Sequence, residues 1–204
     1  MSPARHNTPT DEREQLVAAI HAAADAAIAE ELARLRAEGI VPSCRAGCGT
    51  CCSQHIVTNR LEMHALGQHI RRCLTPERLE ALRLRVREWN RREEAGRDGA
   101  EAGIRLCPLL ENERCSIYSA RPLICRAHFA STDPAWCRAA VEGEAREGTA
   151  RLLDSVLKAA APFKRSLAAH VDRELEAAGL PREESITLLA QGLAEEMGWG
   201  DRLR

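Results

Sequence analysis

Apolar residues return every three or four positions along most of the chain, so the hydrophobic pattern predicts helices almost from end to end. The first stripe is Leu16, Ile20, Ala24, Ile28, Leu32 and Leu35, with Thr8-Pro9 read as N-cap and first helical residue, Asp11 and Glu12 in the first turn, and Gly39 as the stop. A second helix follows the capping-box spacing of Asn59 and Glu62 and turns Leu61, Met63, Leu66 and Ile70 inward. Thr75-Pro76 opens a third, whose buried stripe is Leu79, Leu82, Val86 and Trp89. Further on, the spacing predicts a helix from Glu142 to Ala161 that buries Leu152, Leu153, Val156 and Leu157. Pro162 should interrupt or kink it, before a continuation through Phe163, Leu167, Val171 and Leu175 to Gly179. Pro181 should start a last helix facing Ile186, Leu189, Leu193 and Met197 inward.

Two stretches break the helical period. Residues 43–54 predict no regular helix or strand, followed by a very short extended piece at Ile56-Val57. Residues 96–106 read as a glycine-bearing loop leading into a compact span, 107–128, anchored by Leu109, Leu110, Ile117 and Tyr118. The predicted class is therefore mainly α: one helical domain over residues 9–200 with two irregular cysteine-rich metal-binding loops, a disordered start at 1–8 and a polar tail at 201–204.

Composition agrees with helices. Of 204 residues, 45% are apolar, enough for a buried core, and with aromatics at only 3% the apolar set is mostly Ala and Leu. Lys and Arg number 29 against 30 Asp and Glu, so no net field draws the chain to nucleic acid or an acidic membrane. Arginines do crowd residues 71–97, but glutamates are interleaved and no stacking aromatics accompany them; an ion-paired solvent face is favoured over an RNA-facing patch. The start of the sequence lacks a secretory pattern and no run reaches the ~20 apolar residues of a membrane span. The expected location is the cytoplasm, where the nine cysteines stay thiols or metal ligands.

Cysteine spacing carries the chemistry. Cys44, Cys48, Cys51 and Cys52 form C-x3-C-x2-C-C, and Cys107, Cys115 and Cys125 follow after a helical insert. If the insert folds back, these sulfurs converge. Crowded thiolates repel one another, and zinc or an iron-sulfur core offsets that repulsion. Glycines 47 and 49 would supply positive-φ turns within the loop. Four sulfurs satisfy one zinc ion or one [4Fe-4S] cluster, so the surplus leaves open two metals, a bridging thiolate or a redox pair. Cys51 and Cys52 could meet at one centre, serve two adjacent ones, or form a vicinal disulfide. His55 and His128 are the nearest imidazoles, His128 standing three residues after Cys125 as a candidate ligand. Cys73 reads as a small core residue, and Cys137 as packing beneath the site in preference to joining it.

The segments CRAGCGTCC at 44–52, CPLL at 107–110, CSIY at 115–118 and RPLICR at 121–126 together resemble the YkgJ-like zinc- or iron-chelating cysteine-cluster family. The resemblance implies Cys44, Cys48, Cys51, Cys52, Cys107, Cys115 and Cys125 as the binding set, framed by Arg121 and Arg126. The wider group includes an iron-sulfur protein resembling flagellin lysine methylases; no methyl-donor region is recognisable here, so that activity is not carried over. The expected function is metal binding for storage, transfer or sensing, with a metal ion and a protein partner for transfer as the expected partners. An iron-sulfur enzyme or electron-transfer protein is one competing reading. A metal-stabilised RNA- or protein-binding module is the other.

Overall fold

The computed structural model describes residues 11–45, 47–97, 105–142 and 152–200. Seven helices dominate them: α1 (Glu12–Ala37), α2 (Arg60–Cys73), α3 (Pro76–Arg97), α4 (Leu123–Ala127), α5 (Pro134–Glu142), α6 (Asp154–Ala178) and α7 (Leu189–Met197). Four short strands complete them. β1 (Val57–Asn59) pairs antiparallel with β4 (Ile186–Leu188), and β2 (Leu110–Glu111) with β3 (Arg114–Cys115). No described helix is long and apolar enough to cross a membrane.

Two apolar clusters share α2. On one side Val17, Ala24, Ile28, Leu32 and Leu35 of α1 meet Val156, Ala160, Leu167, Val171 and Leu175 of α6, with Leu61 of α2 and Leu123 and Ala127 of α4 among them. On the other, Met63, Leu66 and Ile70 of α2 meet Leu82 and Val86 of α3, Leu189 and Leu193 of α7, and Leu109 and Ile117 from the cysteine-bearing span. Burial of each Val, Leu, Ile or Met side chain among them contributes about 1.5–3 kcal/mol. The segments that carry the second cysteine run thus insert into both clusters.

Several expectations are corrected. α1 starts at Glu12 under Asp11, whose carboxylate accepts the Glu14 amide at 2.8 Å in a reciprocal capping box; Thr8 lies outside the described residues. α6 runs unbroken through Pro162, because that residue faces solvent and the turns on either side both pack against α1. Leu152 is exposed and precedes the helix, in an isolated bridge with Ala130. The last helix begins only at Leu189: residues 182–185 form a 3-10 turn, and Ile186, 62% exposed, sits on β4. Residues 50–53 also form a 3-10 turn, and β2–β3 a two-residue hairpin, so the cysteine segments are less irregular than expected. The loop expected from residue 96 starts later, since Gly96 and Arg97 still belong to α3, and its glycines 99 and 103 lie outside the described residues.

Glu62 ties the two clusters together. Its buried carboxylate accepts hydrogen bonds from Thr58 (2.8 Å), Asn59 Nδ2 (2.9 Å) and the Leu123 amide at the start of α4 (2.6 Å), and contacts His21 Nε2 of α1 at 2.9 Å. Burial alone would raise the Glu62 pKa, but His21, the Leu123 amide and Thr58 outweigh it and leave it lowered. His21 is itself buried, 8% exposed.

Candidate metal site

The first cysteine loop is folded by local backbone constraints. The Cys48 amide donates to Arg45 O (3.0 Å), and Gly47 takes a φ of +87°, a conformation that L side chains rarely adopt. Gly49 was expected to do the same, but its φ is −98°. It serves close approach instead: a Cβ there would stand 3.0 Å from Leu110 Cδ1 and 3.4 Å from Glu113 O, so the loop lies directly on the β2–β3 hairpin. The hairpin turns at Asn112 and Glu113, both with positive φ, which brings Cys115 opposite Leu110. Glu111 anchors it to α3 through Arg78 (2.8 Å) and Arg85 (2.6 Å). The Cys107 amide then donates to Cys52 O at 2.6 Å, joining the two cysteine segments directly.

A second set of contacts holds the far side of the loop. The Ser43 amide and hydroxyl donate to Ala130 O (2.8 and 3.0 Å), and the Ala130 amide donates to Cys44 Sγ (3.2 Å). Asp133 caps α5 by accepting the Ala135 amide at 2.7 Å. This helix packs against the 50–53 turn and brings in Cys137, which the sequence reading had placed beneath the site. Asp133-Pro134 is the same cap-then-proline signal as Thr75-Pro76 and would have revealed the helix.

These segments enclose a continuous cleft. One part, of about 430 Å³, is lined by Cys44, Cys48, Cys51, Cys125 and Cys137, together with His128. The adjoining part, of about 510 Å³, is lined by Cys48, Cys51, Cys52, Cys107, Cys115 and Cys125, with His55 and His128. All seven expected cysteines and His128 therefore face it, and Cys137 joins them. Cys73 does not: it is exposed at the end of α2, its Sγ 3.8 Å from His69 Nδ1, and so is not the core residue expected.

Most of the cleft thiols have raised pKa values. Burial pushes Cys107 up to about 11 and Cys125 up to about 12, and also raises Cys44, Cys115 and Cys137. Cys51 is the exception. A hydrogen bond donated by Cys52 lowers it to about 7, with its own backbone amide and Arg121 acting in the same direction. Cys52, holding that proton and buried, is raised correspondingly. His128 is lowered by burial, which favours the neutral imidazole that ligates metals.

The flanking residues divide into roles. Arg121 lines the cleft, its guanidinium 3.5 Å from the Tyr118 ring centre and its Nε donating to Tyr118 O (3.0 Å); Tyr118, expected as an anchor, is 55% exposed. Arg126, expected to frame the site, instead staples α4 to the body, donating to Asp25 (2.6 Å), to Arg121 O (2.7 Å) and to Ser119 O. His55 is engaged at 3.3 Å by buried Glu93 and lies edge-on to Trp89. Four arginines of α3 are ion-paired, Arg83 with Glu80 and Arg91 with Glu88 in addition to Arg78 and Arg85 with Glu111.

In kind, the donor set fits zinc or iron: many sulfurs, imidazole nearby, and Glu113 as the one carboxylate among the described lining residues. In arrangement, the sulfurs surround a space without closing on a point. Among the described residues, no group of three or more His, Cys, Asp or Glu side chains is placed so that it could hold a metal ion as it stands.

A family model, "CxxCxxCC: Putative zinc- or iron-chelating domain", matches residues 43–144. That span covers every cysteine on the cleft, Cys137 included. The first gap here has three residues where the family's name shows two, and Gly47 with its left-handed backbone lies within it. No curated protein and no solved structure matches the chain.

Proposed function

Because the chain belongs to the CxxCxxCC family, we propose that it chelates zinc or iron through the thiolates of Cys44, Cys48, Cys51, Cys52, Cys107, Cys115 and Cys125, with His128 at the margin. The observation that carries the reading is convergence: every cysteine of the two sequence clusters is half-buried and faces a single cleft. Bound metal would supply the positive charge that lets these thiols lose their protons together. The chain's own part is to gather sulfurs from distant loops and to seed ionisation at Cys51, where Arg121 and the Cys52 proton favour a thiolate.

The open space beside the sulfurs favours exchange over permanent enclosure. An ion held only to secure a fold is closed in by its ligands, whereas this cleft leaves several hundred cubic ångströms beside them. Storage or hand-over to a protein partner is the use that fits. An RNA-binding role has less support, since Arg78, Arg83, Arg85 and Arg91 of α3 already hold glutamates.

Anaerobic purification with elemental analysis and visible absorption tests the proposal. Stoichiometric zinc without a chromophore, or iron with a thiolate-to-iron band, is the expected result. Cys48→Ala should lower the metal content and open the loop to proteolysis. A reduced, folded preparation that contains no metal and acquires none from added zinc or ferrous iron would overturn it.

A further inference from the structure

We propose that the cleft also receives a small organic oxyanion, a polycarboxylate or a phosphate ester, bound between Arg45, Arg114, Arg121 and Lys164. The proposal goes beyond the chelation reading: it shares the cleft with that reading but holds for the metal-free protein. Two observations carry it, the charge on the walls and the space between them.

Those four cationic side chains line the larger part of the cleft, against Glu113 as the one carboxylate among the described lining residues. They come from four separate segments: the first cysteine loop, β3, the turn before α4, and α6. The chain as a whole has a formal net charge of −1, so the surplus is local. None of the four is ion-paired with a carboxylate among the described residues. Arg34, Arg71 and Arg72, by contrast, each hold a glutamate. A second cavity, of about 590 Å³ between α1, α2, α6 and α7, sharpens the difference. Its cationic groups are matched, Arg13 by Glu174 (3.0 Å), Arg60 by Glu184 (2.9 Å) and His64 by Glu196 (3.4 Å), and Glu183 and Glu195 stand on the same walls. That cavity repels an anion; the cysteine cleft attracts one.

Arg121 is the fixed member of the set. Its guanidinium lies 3.5 Å from the Tyr118 ring centre and its Nε donates to Tyr118 O (3.0 Å), while its two terminal nitrogens have no partner among the described residues. A guanidinium held in this way offers forked donors that match a carboxylate or a phosphate. Arg45, Arg114 and Lys164 are exposed, which puts their charge at the mouth, where a solute arrives. The larger part of the cleft, about 510 Å³, falls within the roughly 300–1,000 Å³ of small-molecule sites. Screening of metal-bound thiolates accounts for the charges but leaves that volume unexplained.

The test is calorimetric titration of the full chain, metal-free and kept reduced with dithiothreitol, with citrate and, in parallel, with glycerol phosphate. Saturable one-to-one binding of either is the expected result, and the tighter of the two identifies the class. Arg121→Gln should weaken it about tenfold, the loss expected for one charged hydrogen-bond partner, and Arg121→Lys should recover part of that loss. Arg60→Gln, in the second cavity, should bind as wild type does, with helical circular dichroism as the folding control throughout. Binding of neither anion, or an equal loss in Arg60→Gln that marks mere surface attraction, would overturn the proposal. So would variants that lower zinc uptake while neither anion binds, since the cations would then serve the thiolates alone. A footprint on unmutated protein guards against misfolding: citrate or glycerol phosphate should slow phenylglyoxal labelling at Arg45, Arg114 and Arg121 but not at Arg60, and equal labelling with and without the anion counts against the site. Failure of folded wild type to take up metal would sink the chelation reading and leave these measurements standing.

Discussion

The α1–α6 body and the cysteine cleft are assembled on opposite principles. In the body, Val156, Leu167 and Val171 are at most 1% exposed, and their positions follow from a single helical period. In the cleft every cysteine is half-buried and neighbours such as Cys52 and Cys115 come from segments remote from each other in sequence. The body is closed by its own apolar surface. The cleft gathers thiols around an open space without closing on a point. This contrast explains why a region with so many chelating groups contains no ready-made ion site among its described residues.

The contrast can be broken most directly in the body. Leu167→Ala should destabilise the fold by about 3 kcal/mol through loss of buried surface and the cavity left behind, read by denaturant titration. Metal bound per folded molecule should stay at the wild-type value; a parallel loss would show that the two regions are not separable.

Glu62 lies on the seam, and its loss should affect both. Glu62→Ala leaves His21, Thr58 and the Leu123 amide without their acceptor, at a cost of about 2–3 kcal/mol. Because the Leu123 amide starts the helix bearing Cys125, metal content should fall as well. The same residue gives a pH signature. Its folded pKa lies below its unfolded value near 4.5, so its stabilisation is present above that pH and is lost as pH falls through the lower, folded value. Denaturation at a series of acidic pH values should show this decline, and Glu62→Gln should flatten it.

Gly49→Ala sharpens the comparison from the other side. Its Cβ would press on Leu110, a flexible side chain, so global stability should change by only about 1 kcal/mol. Metal uptake should weaken more visibly, since the first loop would be lifted from the hairpin. At the small end, Cys73→Ser should alter stability by less than about 0.5 kcal/mol and leave metal content unchanged, being exposed and away from the cleft.

What the sequence disclosed follows the same division. The stripes of α1, α2 and α3 were legible because an amphipathic helix writes its period into consecutive residues. The course of α6 through Pro162 was not, since it depends on the flanking turns being held by α1. β4 was hidden because Ile186-Thr187-Leu188 becomes a strand only by pairing with β1. The seven cysteines were legible from their clustering, whereas Cys137 stands alone in sequence and reaches the cleft through a helix whose start signal passed unrecognised. Gly49 shows the subtler case: its place in the motif was visible, but its purpose lay in Leu110, which is remote in sequence.

The anchoring of α4 makes Cys125 a fixed reference point within the cleft. With the Leu123 amide held by Glu62 and Arg126 bound to Asp25 and the preceding turn, that thiol is set directly by the helical body, so a substitution that loosens the seam should be felt first at Cys125.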